Sequence, residues 1–201
     1  MTSTANSGVR GAALIMLLST TAFAEAGWLS ARGRIDEGVR FEAWGGTRSL
    51  GVGVLRPDSG NRFAALTGEL AYGFWDRALE LRGARVWQLT SGKADVSLST
   101  GGSAYLMPEN VDGGLGPHVA LTFAFGGPIF TFDLSLQTGV EFFFRSLTWR
   151  LPERVGVGFQ WRIANWNIGV AARTGVDVLP GGWVLRGEAV LSLAWRWRQQ
   201  P

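Results

Sequence analysis

The stretch that decides the fold is Ile129 to Phe144, IFTFDLSLQTGVEFFF. Its even-numbered positions read Phe130, Phe132, Leu134, Leu136, Thr138, Val140, Phe142 and Phe144, while the odd ones carry Thr131, Asp133, Ser135, Gln137 and Glu141. Alternation with period 2 is a strand signature, because successive side chains of a strand point to opposite faces. The stretch is long for a globular strand, which usually runs about 3–10 residues. Fully extended it covers about 50 Å, so a strand tilted by about 45° still crosses a bilayer core of about 30 Å. It reads as one stave of a membrane-embedded barrel.

Working outward, the same alternation recurs. Leu50, Val52 and Val54 precede a turn at Arg56–Asn61. Phe63 to Trp75 and Ala78 to Leu89 follow, joined at Asp76-Arg77. Val96 to Leu106, Val119 to Phe125, Val155 to Trp161, Trp166 to Val178 and Trp183 to Trp197 alternate in turn. Arg85 falls on the apolar parity and breaks the pattern. Pro108–Pro117 and Arg145–Glu153 read as longer breaks, and Gly126–Pro128 and Ala164-Asn165 as tight turns. With Trp28–Trp44 taken as one strand, the chain is all-β: a closed antiparallel up-and-down transmembrane β-barrel of about 10 strands, with 8 or 12 as alternatives. Both termini then lie at one end, and the two longer breaks fall together at the other.

Ahead of the barrel lies an expected targeting segment. Arg10, the apolar run Gly11–Leu18 and Ala22-Phe23-Ala24 form the three regions of a signal peptide,. Residues 1–24 are expected to be removed and 25–201 to form the barrel, exported to the bacterial outer membrane.

Ten tryptophans serve as a second marker. Trp28, Trp87, Trp161, Trp166, Trp195 and Trp197 fall at one set of strand ends, and Trp44, Trp75, Trp149 and Trp183 at the other. Indole is apolar with one polar tip and favours the headgroup level, so two girdles are expected. On the polar parity lie Glu69, Glu80, Arg82, Asp133, Glu141, Arg154, Arg162, Arg173, Asp177, Arg186 and Glu188. Buried charges need partners, so these are expected to pair across the lumen, as a salt-bridged plug or the lining of a narrow pore. A soluble lipocalin-like barrel would alternate in the same way with its apolar face inside. Strand length, end-loaded tryptophans and a polar face of Gly, Ser, Arg and Glu favour apolar-out.

The chain resembles, in pattern, the small outer-membrane β-barrels of Gram-negative bacteria, the OmpA-, OmpX- and OmpW-like group. That resemblance implies outer-membrane lipid as a partner and an aromatic residue near the C-terminus; here Trp197 is followed by Arg198-Gln199-Gln200-Pro201. The barrel enzymes of that setting place a His two residues before a Ser, or an Asp/His set at the rim. The one histidine, His118, precedes Ala120, and it reads as a rim residue and not a base. No enzyme activity, cofactor or metal site is expected. The arginines are scattered singly and the formal charge is +3, which argues against nucleic acid,. The expected role is structural or interactive, docking other envelope proteins through the loop Arg145, Trp149 and Arg150, with a small-solute pore as the alternative.

Overall fold

The computed structural model describes residues 38–74, 77–90, 94–109, 111–127 and 129–197. The expected signal peptide, Trp28, Trp75 and the last residues after Trp197 lie outside them. Eleven strand segments follow in order: β1 Val39–Gly46, β2 Ser49–Asp58, β3 Asn61–Gly73, β4 Leu79–Thr90, β5 Ala94–Met107, β6 Asp112–Gly126, β7 Phe130–Gly139, β8 Glu141–Phe143, β9 Thr148–Ile163, β10 Trp166–Leu179 and β11 Gly182–Trp197. Each pairs antiparallel with its neighbour, and β1 pairs with β11, which closes the sheet. Segments β7 and β8 both pair with β6 and β9, so they form one stave and the barrel has ten.

The interruption inside that stave falls at Val140, in the stretch that decided the fold. Val140 N–H donates to the carbonyl of Pro117 at 3.0 Å. Proline has no N–H to return the bond, so the ladder loses one rung there while the register continues on either side.

The ladder gives the tilt directly. Beginning at Ala94 and stepping strand to strand, the partners run Phe125, Phe132, Phe159, Val170, Leu191, Gly45, Leu50, Tyr72, Leu79 and Leu106. One circuit thus returns to β5 twelve residues further on. That stagger over ten staves tilts the strands by about 40°. Strands of 12 to 16 residues, such as β4 and β11, then rise about 30–40 Å, enough for a bilayer core,.

Two expected breaks are far shorter than read. β5 continues to Met107 and β6 starts at Asp112, so Pro117 lies inside a strand. β9 starts at Thr148, so most of Arg145–Glu153, Pro152 included, is strand. Proline, glycine and charge mark breaks in a sequence, but an extended backbone accommodates proline wherever the ladder can spare its N–H. The turns among the described residues are short at both ends. At the rim away from the termini, Asp112 accepts the amides of Gly113, Arg145 and Ser146, tying two turns together.

The wall is inside-out relative to a soluble protein. Leu66, Leu81, Leu136, Phe142, Val155, Leu185 and Leu193 are exposed on the outside, whereas Glu80, Asp133, Arg150 and Asp177 are buried inside.

Candidate functional site

Among the described residues, chemistry-bearing side chains converge in the interior. Asp177 on β10 is its hub. It receives Arg150 from β9 at 3.2 Å, Arg154 from the same strand, and Arg186 Nε from β11 at 2.7 Å. Arg150 also pairs with Glu141 on β8. The Tyr105 hydroxyl lies within hydrogen-bond distance of both Glu141 and Glu80, 2.9 Å from the latter, and donates to one at a time. Arg82 closes on Glu80 at 2.7 Å. The network therefore crosses the barrel from β4 to β11. A second cluster joins Arg173 to Glu188, whose other oxygen accepts from the Ser49 hydroxyl at 2.7 Å.

Apolar walls around this network consist of the rings of Tyr105 and Phe143, with the Arg150 guanidinium 5.7 Å and 5.9 Å from their centroids. Stacked guanidinium and multiple carboxylates are how an arginine is held out of water. The free space left beside Arg82, Gln137, Glu141, Arg150, Arg154 and Arg173 is only about 10 Å³. That is at the lower limit for one water molecule.

Glu69, Glu80, Arg82, Asp133, Glu141, Arg154, Arg173, Asp177, Arg186 and Glu188 are buried inside, and Arg162 is half-buried on the same parity near the termini. The structure joins most of them in the two clusters, but not Glu69. Its Oε2, like that of Glu42, has no hydrogen-bond partner. The two acids flank Gly53 on one ladder row. Asp133 accepts from Gln160 Nε2 at 3.0 Å.

Three expectations need correction. Arg150 is no loop residue: it is 1 % exposed and central to the plug. Arg145 sits in the turn and Trp149 on the outer face of β9, so the three form no docking loop. Arg150 shares its parity with Arg154 and Arg162, a signal that Pro152 obscured. Trp44 is no girdle residue either. It shares the inward parity of Arg40 and Glu42 and packs inside with Ala71, Ala171 and Val190. Gly51 makes room for it, since a Cβ there would lie 2.4 Å from the Trp44 ring. His118 is no rim residue; it points inward from the middle of β6, with Nδ1 unpartnered.

The remaining described tryptophans face outward near strand ends. Trp87, Trp161, Trp166, Trp195 and Trp197 ring the end that carries the termini, and Trp149 and Trp183 the other. Arg85, the defect in the apolar pattern, also faces outward. It reaches Asp58 at 2.6 Å, with its guanidinium 5.6 Å from the Trp87 ring, so its charge is carried towards the ring at the termini end,.

No family model and no curated protein matches the chain. Among solved structures it is similar to the outer membrane channel DcaP of Acinetobacter baumannii, with a TM-score of 0.39 and 7% identity over 82% of this chain and 60% of that one. It is also similar to CdiB from Acinetobacter baumannii, with a TM-score of 0.36 and 14% identity over 81% and 39% of the two chains. The chain thus spans less than two thirds of either protein's length. Likeness this loose says nothing of its activity.

Proposed function

We propose that the protein is a sealed integral β-barrel of the bacterial outer membrane whose role is structural and interactive, engaging lipid and envelope partners through its outer wall and not conducting through its centre. The observation that carries this reading is the ion-pair network spanning β4 to β11, with only about 10 Å³ free among Arg82, Gln137, Glu141, Arg150, Arg154 and Arg173. Support for the membrane comes from the apolar outer wall, the tryptophans at both strand ends and an even number of staves with both described ends of the chain on one side,. Closure also pairs the backbone groups that hydrocarbon would leave unsatisfied. Export of the mature chain from residue 25 is part of the same proposal.

Conductance of the purified protein in planar bilayers tests it. The expected trace is silent at ordinary voltages. Stable, reproducible stepwise openings would overturn the sealed barrel in favour of a narrow pore.

A further inference from the structure

Four neighbouring strands leave a dent in the outer wall. Gly68 on β3, Gly83 on β4, Gly102 on β5 and Pro117 on β6 lie on one ladder row, so no long side chain projects there. These glycines are not demanded by packing. A Cβ at Gly68 would meet nothing nearer than 3.7 Å, at Gly83 3.9 Å and at Gly102 3.5 Å. The inward Gly101 is different, because a Cβ there would come within 2.1 Å of the Gly83 carbonyl. Leu81, Leu115 and Phe142 raise the wall on the side away from the termini. The result is a shallow, open apolar groove of about 560 Å³.

Below this groove, towards the end that carries the termini, the outer wall is basic. Arg85 is two residues along β4 from Gly83, and Arg56 shares its ladder row across Leu66. Arg56 and Arg62 are exposed, and Arg85 is 46 % exposed. Asp58, paired with Arg85, is the one acid among the described residues of this patch, which leaves it net positive. Trp87, beneath the Arg85 guanidinium, belongs to the ring that sits at headgroup level,.

We propose that this patch and groove form a site for one anionic phospholipid of the leaflet on the termini side, its phosphate on Arg56, Arg62 and Arg85 and one acyl chain in the groove. Charge selects the ligand, since guanidinium groups bind phosphate oxygens and an uncompensated basic patch at a membrane surface attracts anionic headgroups. Direction agrees as well: a chain descending from a phosphate at the tryptophan ring must run towards the midplane, where the groove lies. A second copy of this chain would set the same positive patch against itself or leave it unmatched. The inference rests on the membrane reading above.

Native mass spectrometry of the full chain released from detergent micelles, doped equally with phosphatidylglycerol and phosphatidylcholine of identical chains, tests the proposal. One phosphatidylglycerol is expected to be retained, several-fold in preference to phosphatidylcholine. Arg56→Gln with Arg85→Gln should bring the ratio of the two lipids near one. Gly102→Leu, or Gly83→Leu as a second filling variant, should lower retention of both lipids, with the folded band on unheated gels unchanged. Equal retention of the two lipids by the parent, retention unaffected by the variants, or a lipid-free dimer would each overturn the site while leaving the barrel standing. A parent chain with no folded band in micelles would overturn the membrane barrel and the site together.

Discussion

Arg150 and Arg85 lie on opposite faces of one wall. Arg150 points inward, is 1 % exposed, and is held by Glu141 and Asp177 with Tyr105 and Phe143 beside it. Arg85 points outward, is nearly half exposed, and has Asp58 and the ring of Trp87. The same side chain survives on either side for different reasons. Inside, charge is neutralised by several carboxylates among buried side chains. Outside, a long flexible stem carries the charge to the edge of the apolar belt.

The contrast can be broken most strongly at the hub. Asp177→Leu leaves Arg150, Arg154 and Arg186 short of a shared counter-charge, and losing one partner of a buried pair costs about 3–5 kcal/mol,. Urea unfolding of the refolded barrel should show a loss of that size; a change within error would mean that the interior charges are solvated. Next in size is Glu141→Leu, which removes one of two carboxylates from Arg150 while Asp177 remains. A charged hydrogen bond contributes about 1.5–3 kcal/mol, and heat-modifiability on gels should shift accordingly,. Asp133→Leu takes the acceptor from Gln160 and should shift the same gels, since a buried donor left unsatisfied costs about 1–3 kcal/mol,. The smallest effect is expected outside: Asp58→Ala removes a partly exposed pair worth less than about 1 kcal/mol,. If Asp58→Ala destabilises as much as Asp177→Leu, the two faces have been assigned the wrong way round.

The alternation made the architecture legible because a strand's period is fixed by backbone geometry alone. Parity alone places Glu80, Arg82, Asp177 and Glu188 on the inner face, and the structure brings Glu80 to Arg82 and Glu188 to Arg173. What parity does not carry is cross-strand register. Nothing in the sequence says that Asp177 gathers three arginines, or that Glu69 gets no hydrogen bond on its Oε2. Where turn-forming residues interrupt a strand, the pattern misleads: Pro117 and Pro152 hid strand starts and, with them, the inward place of Arg150. Trp44 shows a further limit, since an aromatic near a strand end fits a girdle or a lumen equally well. Its parity with Arg40 and Glu42 and the opposing Gly51 decide between the two.

Alternate residues of one strand are expected to face lipid and the charged interior. The chain has no cysteine, so single substitutions give clean labelling sites. Leu136 is exposed on the outer face and Ser135 lies on the inner parity beside it. A fluorophore on Leu136→Cys should be quenched strongly by lipids carrying a spin label mid-chain, and the same fluorophore on Ser135→Cys only weakly. Equal quenching at the two positions, or the reverse order, would contradict the inside-out barrel.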